Sequence, residues 1–341
     1  MVTISQIAKT VNGRVDGNLD LAIEGACDLK NSQASHISYI VSDKYEKYFH
    51  KTKASAFLVN DEFTFDRGSK TLIRVENPAF SFIDVIHLFY PKKPPHEEIH
   101  KSAVISDNAK IGKNVQIAPH VVIENNVHIG DCVQIGAGAF IGAETSIEKG
   151  TVIQPNVNIY HGISIGSNCI IDAGAVIGSD GFGLVSDKNS HHKIPHIGGV
   201  IIKDNVWIGP NCCIDRGTFS DTIIGEGTKL DNLIHIAHNV KIGKHCIIAG
   251  QGGIAGSSIL EDNVTLAGQV GIIGHLTIGR GSTIAAKSAV FQSLDPNSFV
   301  SGMPARPHKN RLRQDVIINQ LPDILNRLRR LEQEISISEE P

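Results

Sequence analysis

The chain repeats an aliphatic residue every six positions. From Ile105 the series runs through Ile111, Ile117, Ile123, Ile129, Ile135, Ile141, Ile147, Ile153, Ile159, Ile165, Ile171 and Ile177, thirteen in phase. It resumes at Ile202, Ile208 and Ile214, and again from Ile224 through Leu230, Ile236, Ile242, Ile248, Ile254, Leu260, Leu266, Ile272, Ile278 and Ile284. Internal periodicity of this kind is read before any local propensity. Six does not fit a helical period, but it is a multiple of two and therefore fits short strands separated by turns. Four positions after each repeat residue stands another small or β-branched one: Ala109, Val115, Val121, Val127, Val133, Ala139. Both can point inward while the residues between them turn a corner rich in Gly, Asn and Asp. Three such hexads close one triangular coil, and coils stack at sheet spacing, about 4.8 Å. The predicted class is mainly β: a left-handed parallel β-helix, a solenoid of hexapeptide repeats. A sandwich would not hold a six-residue phase for so long.

The flanks break the pattern. Residues 1–98 carry no hexads and read as a small α/β domain. Thr3 is placed to cap a helix over Ile4, Ile7, Ala8 and Val11 that ends at Asn12-Gly13. Strands are expected at Leu21–Ile23 and Ala56–Val59, a helix over Phe80–Tyr90, and a linker at Pro91–Pro95. Tyr39 and Tyr45 read either as core aromatics or as a surface on which a base could stack. The solenoid is expected over 99–300. Beyond it, residues 301–341 turn helical, with Leu321, Leu325, Leu328, Leu331 and Ile335 at three-four spacing and Arg327, Arg329 and Arg330 interleaved. Pro322 is expected to divide that tail. Its apolar side suits packing against the solenoid or a second copy. Its arginines, with Arg306, His308, Lys309, Arg311 and Arg313, suit a basic docking surface.

Two slips interrupt the solenoid. Between Ile177 and Ile202 a loop is extruded, opening Gly178-Ser179-Asp180-Gly181-Phe182-Gly183 and carrying His191, His192 and His196. A smaller slip follows around Asp215-Arg216-Gly217. Insertions into a solenoid favour its working face.

Composition narrows the class further. A net charge of −3 gives no basis for nucleic-acid binding. The six cysteines form no C-x-x-C pair and suit a reducing compartment. No apolar run reaches membrane-spanning length and no signal peptide is legible, so a cytoplasmic protein without a membrane span is expected.

Chemistry concentrates at Ile236-Ala237-His238-Asn239. His238 follows the inward Ile236 by two residues and faces outward. Gly256 lies eighteen residues later, one full coil, and is therefore stacked on His238 at about 5 Å. His275, thirty-seven residues on, falls on the same edge about 10 Å away. An imidazole base beside a glycine N–H suits acyl transfer to an amine, which needs a proton acceptor and donors for the tetrahedral oxyanion. Asp231, seven residues before His238 on the neighbouring face, is a candidate to orient the imidazole. The outward face invites a second copy of the chain and an intersubunit cleft. His192 and His196, four residues apart, raise the alternative of a zinc hydratase, which needs three converging ligands. Both lie in the extruded loop, out of phase with the coils, and no metal is expected. No Ser or Cys sits in nucleophile-base context, so direct transfer without an acyl-enzyme is expected.

Gly178–Gly183, Ile194-Pro195, Ile214–Gly217 and Ile236–Val240, in this order, resemble the UDP-3-O-acylglucosamine N-acyltransferases of lipid A biosynthesis, over nearly the whole chain. The resemblance implies a homotrimer that moves an (R)-3-hydroxyacyl chain from acyl carrier protein to the 2-amine of UDP-3-O-acylglucosamine. It needs no resident cofactor; the carrier's phosphopantetheine arm arrives with the donor substrate. It implies His238 as general base, Gly256 as oxyanion donor and His275 as an assisting histidine. Asp180 and Phe182 of the glycine-rich loop are implied as substrate contacts. The N-terminal domain resembles the family's uridine-binding domain, with Tyr39 in place of the stacking Phe and Tyr45 retained. Ser42 stands where the family often has Asn and Asp43 where it has Pro. The basic tail resembles the part that meets the acidic carrier. Other readings remain: the related O-acyltransferase acting on UDP-N-acetylglucosamine, which normally lacks such an N-terminal domain; a nucleotidyltransferase with a β-helical tail, for which residues 1–98 are too short; and a non-catalytic β-helical scaffold.

Overall fold

The computed structural model describes residues 1–91 and 98–338, the side chains of residue 43 and of residues 333–338 excepted. The chain forms two compact units, Met1–Pro94 and Pro95–Pro341. Most of the expected Pro91–Pro95 linker lies outside the described residues, as does the side chain of Ile335.

The first unit is a five-stranded sheet in the order Arg14–Asp16, Thr71–Arg74, Ala56–Val59, His36–Tyr39, Gly25–Ala26. Only the first pair is antiparallel. The central strand is buried at all four residues, as a strand covered on both faces must be. Alternation sends Ala56 and Leu58 into one core with Ile4, Ile7 and Val85, and Phe57 and Val59 into the other with Phe49 and Phe63. Helix α1 (Ile4–Thr10) starts at the expected Thr3, in a capping box closed by Gln6. Helix α2 spans Glu46–Lys51. Helix α3 spans Pro78–Phe89, two residues earlier than the hydrophobic pattern suggested, because the Asn77 side chain caps it and Pro78 fits its first turn.

The second unit is the β-helix: three sheets of nine, ten and twelve strands, most of them two residues long and all parallel but for the edge strand Arg306–Pro307, which pairs antiparallel with Phe299–Ser301. Each hexad residue pairs with the one eighteen positions on, as Ile111 does with Ile129 and Ile236 with Ile254. The core holds both predicted inward positions, such as Val115 with Ile117 and Val121 with Ile123. The residue after the corner takes a left-handed conformation, at Asn114, Asn126 and Asn156 and equally at Leu233, Ser257 and His275. Asn carries this conformation at little cost; the others are held there by the stacked ladders on both sides. The two phase slips resolve as registers of 37 residues across the first insertion, as between Ile177 and Ile214, and of 22 across the second, as between Ile214 and Ile236, against 18 within the unbroken stretches. The first carries the hairpin Leu184–Ser186 with His191–Lys193.

Helix α4 spans His308–Ser338. It runs through Pro322 instead of being divided there. Proline removes one backbone bond, to the Ile318 carbonyl, and the turns on either side hold the helix together. Its first residue is anchored on the last coil: His308 stacks on Phe299 at 4.2 Å and its Nδ1 meets Ser301 Oγ at 3.0 Å. Leu321, Leu325, Leu328 and Leu331 are 45–54% exposed on the single chain.

Candidate active site

The ladder between Ile236 and Ile254 sets the geometry. Beyond these strands the chain turns the same corner twice, one coil apart, so His238 and Gly256 are superposed. A Cβ placed on Gly256 would lie 2.7 Å from both Cε1 and Nε2 of His238. The imidazole therefore covers the glycine, and only glycine leaves it room. Among the described residues the Gly256 N–H has no protein acceptor. The corner is further tied by Ser257 N–H to the His238 carbonyl at 3.0 Å and by His275 N–H to the Gly256 carbonyl at 3.1 Å. His275 lies on the same corner with an exposed side chain.

The tautomer of His238 follows from its neighbour. Asn239 Nδ2 donates to the Ser220 carbonyl at 2.8 Å, and Asn239 Oδ1 accepts from Thr218 N–H at 3.1 Å. Two backbone partners, one able only to accept and one only to donate, fix the amide orientation. Oδ1 lies 3.0 Å from His238 Nδ1, so that nitrogen carries the hydrogen. Nε2, the atom over Gly256, is left with its lone pair.

Asp231 is not the orienting group. Its Oδ2 accepts from Gly250 N–H at 3.0 Å at the preceding corner of the coil, one strand away from His238. There it borders an open groove of about 550 Å³ with Gln251, Gln269 and Lys287. Asn239, adjacent to His238 in sequence, supplies the contact that Asp231 was expected to make. The signal was present, since Asn239 adjoins His238 and holds the left-handed corner position.

The extruded loop packs onto His238. A Cβ on Gly181 would lie 2.8 Å from His238 Cβ and 2.9 Å from His196 Nε2, so this glycine is also required. His196 is buried, its ring 5.3 Å from that of His238 and edge-on to it. Its Nδ1–H donates to the Ile194 carbonyl at 2.8 Å, and its Nε2 is buried without a hydrogen-bond partner. His192 instead sits on the hairpin, with Nε2 2.6 Å from Asp187. The two histidines thus serve different contacts and do not form a pair of ligands. Among the described residues no cluster of three or more His, Cys, Asp or Glu could hold a metal.

Asp180 bonds Lys193 across the loop at 2.8 Å, which holds its carboxyl below the usual range. Phe182 projects outward, 87% exposed. Under the loop, buried Arg216 donates from Nε to the Gly178 carbonyl at 2.8 Å and from its other nitrogens to His161. This bidentate grip stitches the bulged strand Val176–Asp180 to the coils below. Burial pushes the guanidinium down from its ordinary value, offset by Asp180 and then Tyr160. Asp215, beside it, is buried too and faces the histidines. Burial pushes its carboxyl up, while His235, Ser179, His238 and His196 oppose the rise.

The first unit holds a separate cleft of about 560 Å³ lined by Asp28, Lys30, Asn31, Ser38, Tyr39, Tyr45 and Tyr48, among others. Tyr39 packs on Phe82 at 4.7 Å yet keeps 37% of its surface exposed, and Tyr45 keeps 42%. Both expected aromatics therefore border one cleft, joined by Tyr48, which sequence reasoning missed. Ser42 is not part of that lining; its hydroxyl accepts weakly from Lys44 N–H at 3.4 Å within the turn before α2.

Comparison with known proteins places these sites in context. Residues 20–88 match the family model described as UDP-3-O-(3-hydroxymyristoyl) glucosamine N-acyltransferase, LpxD. Residues 108–143, 144–179 and 221–256 match that of the bacterial transferase hexapeptide. A UDP-3-O-acylglucosamine N-acyltransferase of Methylacidiphilum infernorum is 44% identical over 97% of this chain and 94% of its own length. One from Campylobacter lari is 46% identical over 91% of this chain and 95% of its own. Among solved structures, an Arabidopsis UDP-N-acetylglucosamine acyltransferase aligns with a TM-score of 0.58 at 28% identity, over 64% of this chain and 77% of its own. That likeness covers about the share of the chain that the solenoid occupies, whereas these two N-acyltransferases match nearly end to end. The chain belongs to the UDP-3-O-acylglucosamine N-acyltransferase family.

Proposed function

We propose that the chain transfers a 3-hydroxyacyl group from acyl carrier protein to the 2-amine of UDP-3-O-acylglucosamine, with His238 as general base. The observation that carries this reading is the fixed tautomer of His238. Its Nδ1–H is held by Asn239, and its free Nε2 lies beside Gly256, whose backbone N–H has no acceptor among the described residues. The amine nitrogen attacks the thioester carbonyl carbon, and His238 Nε2 takes one of its protons. The oxygen charge that develops is met by the Gly256 N–H, at a site that needs no reorganisation. The C–S bond then breaks, and the proton on His238 passes to the departing thiolate, leaving amide and free carrier thiol. His275 assists from the same corner.

The uracil ring belongs in the tyrosine cleft of the first unit, stacked on Tyr39 with Tyr45 beside it. The carrier protein, which is acidic, belongs on the arginines of α4. The exposed leucine side of α4 suits association of three copies, and the absence of any described helix long and apolar enough to cross a membrane is consistent with work in the cytoplasm. Mass measurement in solution tests the trimer; a single-chain mass would refute it.

The deciding experiment compares acyl transfer from 3-hydroxyacyl carrier protein to UDP-3-O-acylglucosamine and to UDP-N-acetylglucosamine, in wild type and His238→Ala. Transfer to the amine alone, lost in a folded His238→Ala protein, is the expected result. Transfer to the acetylated sugar alone would make the enzyme an O-acyltransferase. Trapping of a hydroxylamine-sensitive acyl-enzyme would refute direct transfer.

A further inference from the structure

Behind His238 lies a carboxylate that the mechanism above does not use. Asp215 is 6% exposed. It stands one position past Ile214, the strand partner of Ile236, which places it level with Ala237, the residue before His238. Its hydrogen bond is from Ser179 Oγ to Oδ1, at 3.1 Å. Its Oδ2 is 3.7 Å from His235 Nε2, and His238 and His196 act on it electrostatically from the same side. The neighbouring cation, Arg216, points away to Gly178 and His161. Among the described residues no lysine or arginine pairs with Asp215. A buried carboxylate without a cation is costly and is retained where a charge arrives to balance it.

We propose that Asp215 is a positioning residue that balances the imidazolium formed when His238 takes the amine proton. This rests on the reading of His238 as general base. The groups that face the pair are His235 and Ser179 on Asp215, His196 and Asn239 on His238, and Asp180 on His196; Cys213 feels the Asp215 charge as well. A nearby opposite charge favours the protonated imidazole. Exposed His235 shares the carboxylate, and so weakens its hold on His238.

The test is the rising limb of kcat/KM against pH, which reports the free-enzyme base. Removing the negative charge in Asp215→Asn makes His238 a weaker base, so the limb moves to lower pH, by about one unit. Its plateau falls about tenfold, while KM for the sugar nucleotide stays near wild type. His235→Gln leaves the carboxylate wholly to His238, and its limb moves to higher pH. His235 is exposed, so this variant decides the matter even if Asp215→Asn does not fold. A wild-type limb in both variants, or in His235→Gln alone where Asp215→Asn is unfolded, overturns the proposal. The His238 Cε1–H resonance, followed by NMR in the same proteins, separates the two readings. If His238→Ala keeps full activity, the base assignment fails. The coupling itself stands only if the resonance still titrates lower in Asp215→Asn or higher in His235→Gln.

Discussion

At Lys244 and at Gly256 the solenoid turns the same kind of corner, two residues past an inward Ile and followed by a left-handed residue, His245 or Ser257. At Lys244 the backbone N–H exposed by the turn is capped by Asp262 Oδ1 at 2.7 Å. Asp131 caps Lys113 and Asp204 caps Ser167 in the same way. At Gly256 no carboxylate arrives, and the residue one coil before it is an imidazole whose Cε1 and Nε2 lie against the glycine. The backbone is the same; the side chain stacked on it decides whether the amide is spent on stability or left open to a substrate oxygen. The Gly256 corner is a structural corner whose cap position, eighteen residues on, is Gly274, with an imidazole stacked one coil away on the opposite side.

The comparison is broken most severely by His238→Ala, expected to lower kcat by 10²- to 10⁴-fold with the β-helix intact by circular dichroism, since its side chain holds up no coil. Gly256→Ala comes next. The added methyl meets the imidazole at 2.7 Å and displaces it from the N–H it covers. A loss in kcat of about 10²-fold is expected, with the β-helix still folded; full activity would show that the oxyanion is held elsewhere. Asn239→Ala frees the His238 tautomer, and a loss of about ten- to a hundredfold is expected in steady-state rate. The structural corner gives the contrasting result. Asp262→Asn removes a charge-assisted cap and is expected to cost roughly 1–3 kcal/mol in denaturant unfolding while kcat stays within about twofold of wild type. The smallest effect lies in the hairpin. Asp187, held down to about 2 by Asn189 N–H and then by His192 and Ser190, stabilises the hairpin above the ordinary carboxylate range. That contribution is lost as pH falls through about 2, and hydrogen exchange of residues 184–193 should rise there before the coils respond.

The β-helix was legible because its information is local and repeated. Every hexad states its own inward pair, and thirteen statements in phase leave no competing fold. The stacking of Gly256 on His238 was legible for the same reason, because within an unbroken stretch distance along the chain converts to height along the axis. That arithmetic stops where the phase slips. His196 and Asp215 lie in or beside the two insertions, and counting could not bring them to His238. Asp231 shows the opposite failure. Counting put it near His238 in sequence, but a triangular coil sets residues seven apart on different corners, where Asp231 meets Gly250. Pro322 misled through a local rule that a 31-residue helix overrides. Tyr48 went unread because its place in the cleft depends on α2 following the turn at Ser42.

Periodicity settled the solenoid, its inward residues and the pairing of His238 with Gly256, since each follows from short-range sterics repeated without interruption. Which nitrogen of His238 holds the proton, which glycines must stay bare beneath it and which buried acid faces it were set by folding. These depend on loops of unequal length closing over one corner, and on hydrogen bonds between residues some twenty positions or more apart, such as Asn239 with Thr218 and Ser179 with Asp215.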